Sequence, residues 1–240
     1  MKSSALMVCL AFAIAASLWA APPHPRPLPA AQAPGAVVGF TPDKGKFRIL
    51  QGGNEAGTEE FDLSPSGNAW VAKGEATLRV PGGGETRSSG QLRVAADVTP
   101  LRYDWSAGTD KKASGSVIFE DGVAKSVINV PGKDPLNQDF KFASPHAAIL
   151  DNNLYDQYAI LGRLYDWNAK GKQTFPVLIP QDLTPGTIDV EDLSSPTADS
   201  GRFDVLRVHT SDLEIQLFFD AKHHLMRLEV PAAKVVITRQ

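Results

Sequence analysis

From Lys46 onward, apolar and polar residues take turns along short segments separated by clusters of Gly, Pro, Asn and Asp. A period of two sends successive side chains to opposite faces of an extended chain, so each segment predicts a strand with one buried and one wet face. "KFRILQ" and "EAGTEEFDL" flank Gly52-Gly53-Asn54, a connection suited to a hairpin. "AWVAKGEATLRV" passes through "PGGGE" into "TRSSGQLRV", and "LRYDWSA" passes through Gly108-Thr109-Asp110 into "KASGSVIFE". Between "GSVIFE" and "VAKSVINV", Asp121-Gly122 readily supplies the positive dihedrals of a type I′ turn. Beyond residue 172 come "QTFPVLIP", "GTIDVED", "GRFDVLRVHT", "LEIQLFFD", "LMRLEV" and "KVVITR". In the fourth of these, Leu213, Ile215, Leu217 and Phe219 alternate with Glu214 and Gln216, the pattern of an antiparallel sheet solvated on one side.

Residues 144–172, "SPHAAILDNNLYDQYAILGRLYDWNAKGK", break this rhythm and hold three of the four tyrosines. Asp151 and Asn152 are capping types and Gly171 is a stop signal, so the spacing predicts one helix over about 151–168. At about 100° per residue, Leu154, Tyr158, Leu161 and Tyr165 fall on one line. Ile160, Leu164 and Trp167 widen that stripe, while Asp156, Arg163 and Asp166 take the opposite arc. A stripe this wide suits a helix set in a groove rather than laid on a flat sheet.

The predicted fold is therefore mainly β: a long antiparallel meander of about a dozen strands packed around one central helix. Twist accumulates over that many strands, so the layer must curl into a half-barrel, and the helix must cover its apolar concave face. No repeat of fixed period suggests a propeller or solenoid.

The N-terminus bears on the compartment. Lys2 precedes the apolar run Ala5 to Ala16, and small residues lead to Ala20 and Ala21, the three parts of a secretory signal peptide. Cleavage is expected near Ala20 or Ala21, with Ala31-Gln32-Ala33 as an alternative. The apolar run is short for a bilayer span. Residues 22–40 form a Pro/Ala-rich segment with no periodicity, read as a flexible tether, and residues 41–240 form one β-domain. Cys9, the sole cysteine, lies inside the leader, so disulfides, cysteine nucleophiles and thiolate metal sites are not expected in the mature chain. A net charge of −3 leaves no basic footprint for nucleic acid.

Candidate chemistry is sparse. His223-His224 lies in a turn near Asp220 without an evident third metal ligand, and His146 and His209 lack fixed-offset partners. "PGGGET" lacks the Lys-Ser/Thr ending of a phosphate loop and runs into a strand. Asp189, Glu191 and Asp192 read as a solvated face, and no serine sits in a Gly-x-Ser-x-Gly elbow. No catalytic residue, metal or cofactor is assigned. The candidate ligand groove is the helix stripe of Leu154, Tyr158, Leu161, Tyr165 and Trp167.

The closing stretch "LEIQLFFDAKHHLMRLEVPAAKVVITR" and the opening "GKFRILQGGNEAGTEEF" resemble exported bacterial domains of unknown function built as curled meanders. These are similar to the half-barrels of the periplasmic lipoprotein carriers, LolA and LolB, in which a curled sheet wraps helices and an acyl chain can bind. The resemblance implies a non-enzymatic, exported envelope protein whose partner is an apolar or amphiphilic molecule or another envelope protein. Two alternatives stand beside ligand binding: an envelope structural or interaction module with a filled core, and a hydrolase using a lone histidine.

Overall fold

The computed structural model describes residues 39–79, 84–109, 112–193, 203–210 and 213–240. The expected leader, nearly all of the proline-rich segment and part of the glycine-rich "PGGGET" lie outside the described residues.

The alternating segments form strands, as their period dictates. A first meander runs β1 (Asp43–Gln51), β2 (Asn54–Ser66), β3 (Ala69–Arg79), β4 (Glu85–Ala95), β5 (Pro100–Gly108), β6 (Ala113–Glu120), β7 (Val123–Asn129) and β8 (Leu136–Lys141). The chain then forms β9 (Ala148–Ile149) and the helix α1 (Gln157–Leu164). A second meander returns through β10 (Lys172–Ile179), β11 (Thr184–Asp192), β12 (Asp204–His209), β13 (Glu214–Phe219), β14 (Leu225–Val230) and β15 (Val235–Arg239). The two meanders join at β1 and β15, giving one curled 15-stranded sheet with β8 and β9 at its edges. All pairings are antiparallel except β9 with β10, which α1 connects.

The sheet has more strands than the dozen expected because two elements carry no alternation signal. β8 is an edge strand exposed at every position but Phe140, and β9 spans only two residues. The Asp121-Gly122 turn has the expected dihedrals, φ 51° and 75°. Arg79 and Glu85 flank the glycine-rich stretch, so it joins two strands rather than facing a helix N-terminus.

Inward positions follow parity: Phe61 and Leu63 on β2, Tyr103, Trp105 and Ala107 on β5, Ile215, Leu217 and Phe219 on β13. One cross-strand row reads Phe61, Gly74, Gly90, Trp105, Gly115, Ile128. Gly74 and Gly90 face each other in that row, and together they make a trough in the concave wall. A Cβ at Gly90 would lie 2.6 Å from Leu154 Cδ1, and one at Gly74 would lie 2.7 Å from Asp156 Oδ1. Glycine is needed there for close approach, because any side chain would push the helical segment out of the trough.

The helix corrects the sequence expectation at both ends: it is the eight residues Gln157–Leu164, not 151–168. Asp151 does not cap it, because its carboxylate accepts hydrogen bonds from Tyr103 Oη (2.5 Å), Asn153 N (2.9 Å) and Gln181 Nε2. Asn152 instead donates to Asp182. At the other end Tyr165 turns extended (φ −69°, ψ 129°). Gln173 holds the main chain of Asp166 from both sides, accepting from its N–H and donating to its carbonyl. Tertiary hydrogen bonds have thus displaced the local caps. The expected wet arc also fails, since Asp156 and Arg163 are only 5% and 3% exposed.

Candidate functional site

The candidate groove residues all belong to the segment that lies in the concave face, although only Tyr158 and Leu161 are helical. Leu154 is fully buried against Gly90. Leu161 is buried with Ile160 and Leu164 over Leu92, Val94 and Val98. Tyr165 is buried and donates its hydroxyl to Gly171 O at 2.7 Å; burial pushes its pKa up to about 12. Tyr158 is partly buried against the core. Trp167 donates Nε1–H to Gly162 O at 2.8 Å. Its ring meets Tyr165 and Phe219 edge-on, with centroids at 5.2 and 5.5 Å, and stacks on His223 at 4.4 Å. The structure therefore brings all five residues together, but as packing. The void beside Ile160, Leu161 and Leu164 is about 10 Å³, room for no more than about one water molecule.

A polar cluster that the sequence reading missed lies at the N-terminal end of α1. Glu59 occupies an inward position of β2 and is fully buried. Its carboxyl accepts the backbone N–H of Tyr155 at 2.8 Å and of Asp156 at 2.9 Å. α1 has no side-chain cap of its own, so Glu59 serves as a cap supplied from the sheet, favoured by the positive end of the helix dipole. The Asp156 carboxyl faces the same group over Gly74. Its Oδ1 has no conventional donor. Burial, with the neighbouring Asp156 charge, raises the Glu59 pKa well above the carboxylate range. Burial lifts that of Asp156 to about 7, and burial also raises that of Asp151. Two desolvated carboxyls in contact hold protons that neither would keep in water.

The histidines are placed in ways that limit catalysis. His146 Nε2 lies 3.4 Å from Thr99 Oγ1 and 3.6 Å from Asp97 Oδ2, while buried Nδ1 has no partner. A nucleophile–base–acid relay needs the acid on the nitrogen opposite the hydroxyl, and here both converge on one nitrogen. His209 is exposed on the outer face, opposite Asp189 on β11 and Glu214 on β13. They share a solvent-open depression of about 260 Å³ with Lys172, Glu191 and Arg207. Its carboxylates already have partners: Asp189 pairs with Lys172 and Thr174, and Glu191 with Arg207. His224 Nδ1 pairs with Asp220 at 3.0 Å, closing the turn between β13 and β14. Among the described residues no group of three or more His, Cys, Asp or Glu is placed to hold a metal ion.

No protein-family model matches the chain, and no curated protein matches it in sequence. Its fold is similar to the crystal structure of a beta-barrel-like protein of the domain of unknown function DUF1849 from Brucella abortus. The TM-score is 0.55 at 10% identity, covering 85% of this chain and 97% of the other. At that identity the likeness concerns the fold: a curled, mainly β sheet shared with a bacterial domain of unknown function.

Proposed function

We propose that this chain is a non-enzymatic, exported protein of the cell envelope whose concave face is filled by its own helical segment, and which works through its outer surface as a structural or interaction module. The observation that carries the reading is the burial of Leu154, Leu161 and Tyr165 in the concave face, with a void of only about 10 Å³ beside Leu161. A site for a small apolar ligand occupies hundreds of Å³, and an acyl chain seated as in the lipoprotein carriers would have to displace these side chains. The arrangement around His146 supports the non-enzymatic part. Export rests on Lys2, the apolar run Ala5–Ala16 and the small residues before Ala21. Among the described residues no helix is long and apolar enough to cross a membrane.

Two measurements test this together. Protein recovered from an expressing bacterium is expected to begin after Ala20 or Ala21, and a start at Met1 in the cytoplasmic fraction would refute export. Organic extraction of the purified protein is expected to yield no stoichiometric lipid; a molar equivalent of fatty acid or phospholipid would return the apolar-ligand reading to first place.

A further inference from the structure

We propose that Glu59 and Asp156 form a proton-dependent latch that holds the segment 151–165 in the concave face and lets it go when the pair is fully ionised. The latch has three structural parts. Glu59 reaches across from β2 and takes the backbone N–H groups of Tyr155 and Asp156, immediately before α1. Asp156, on the moving side, points Oδ1 back into the same space, 95% buried and without a conventional donor. Gly74 forms the floor: a Cβ there would meet Asp156 Oδ1 at 2.7 Å and Glu59 Oε1 at 3.2 Å, so the two oxygens converge on one point. Carboxyl oxygens in contact away from water need a proton between them. With at least one proton shared, both groups are satisfied and the sheet caps the helix. With none, two negative charges face each other in a dry trough.

The groups facing the pair do not relieve that repulsion. Asp151 acts on Asp156 from the loop before the helix. Tyr103 on β5 and Tyr155 beside the cap carry raised pKa values and stay neutral, and Tyr158 on α1 does the same. Asp151 is held by Tyr103 and Gln181 rather than by a cation. Both latch carboxyls are raised by burial, Asp156 to about 7. Protons held more tightly by the latched state are lost as pH climbs through about 7, and with them goes the preference for the latched state. What is released is a segment carrying Leu154, Leu161 and Leu164, from a face lined by Leu92 and Val94.

The test is amide hydrogen exchange of Ile160 to Leu164 at about pH 6 and about pH 8.5, corrected for the intrinsic pH dependence of exchange. The protein as expected loses protection in this segment by tenfold or more at the higher pH, while β13 and β14 keep theirs. Asp156→Asn replaces the shared proton with an amide donor to Glu59, so its protection should change less between the two pH values, with only the buried Glu59 left to titrate. Equal protection in the unmodified protein at the two pH values would overturn the latch, as would an Asp156→Asn variant with an undiminished pH effect. A second readout needs no variant: the infrared carbonyl stretch of a protonated carboxylic acid should persist at about pH 6 and fade by about pH 9. Its absence at pH 6 would equally overturn the proposal. Neither outcome depends on whether the outer surface binds a partner, so the latch and the accessory function can fail separately.

Discussion

Gly162 separates a packed plug from a helix resting on a sheet, because the two predict opposite signs for one methyl group. In an exposed helix, Gly→Ala stabilises by about 1 kcal/mol through backbone entropy. Here an alanine Cβ would lie 2.5 Å from both Cε1 and Cζ of Phe219. That ring is fully buried, with Trp167 edge-on at 5.5 Å, so it has little room to swing away. Overpacking of this kind costs about 1–3 kcal/mol, and contact with two ring atoms at 2.5 Å belongs at the upper end. The net expectation for Gly162→Ala is a loss of about 2 kcal/mol. For a domain of this size that lowers Tm by about 4–8 °C. Urea unfolding followed by far-ultraviolet circular dichroism gives the same quantity through the midpoint, with the slope unchanged. Adding Phe219→Leu to Gly162→Ala should lessen the incremental cost of the alanine, since the ring is what the methyl strikes. A Gly162→Ala protein as stable as the parent, or more so, would refute the packing argument.

Other outcomes follow from the same geometry. Leu161→Ala should cost about 3–4 kcal/mol in urea unfolding, because the space left by a fully buried leucine joins an existing void and cannot collapse freely. Stability should depend on pH through Asp156, whose folded pKa of about 7 lies above the unfolded value near 4. The contribution is complete below about pH 4 and is lost as pH rises through about 7, up to about 4 kcal/mol. Tm should therefore be lower at pH 8.5 than at pH 5, and Asp156→Asn should flatten that slope. His223 should titrate by NMR below the ordinary imidazole range near 6.5, because burial and then the nearby Arg163 charge disfavour its protonated form; a midpoint above that range would contradict its burial beside Trp167.

Much of this architecture is legible in the chain because alternation is a local property. Ile215, Leu217 and Phe219 declare one face of β13 without help from the rest of the molecule, and Asp121-Gly122 declares its own turn. The junction of the two meanders is not local: Phe47 pairs with Arg239 across nearly the whole chain, and nothing in either segment names the other. The helix ends are not legible locally, because Tyr103 and Gln181 hold Asp151 and the cap comes from Glu59 on a distant strand. Glu59 did leave a signal. It has the same parity as Phe61 and Leu63, so it is a carboxyl on an apolar face, which calls for a buried partner. Asp156 was harder to see, because its place opposite Leu161 suggested solvent. Gly74 and Gly90 reveal their purpose only once register sets them side by side under the segment.

In this protein the concave face is occupied by the chain's own segment 151–165. Thermal unfolding at about pH 6, with and without a panel of fatty acids and lysophospholipids kept below their micellar concentrations, tests it most directly. A filled face predicts the same Tm with every amphiphile. A ligand at a hundred times its Kd would add about 2.7 kcal/mol and raise Tm by about 5–10 °C, and a reproducible rise of that size would contradict the account.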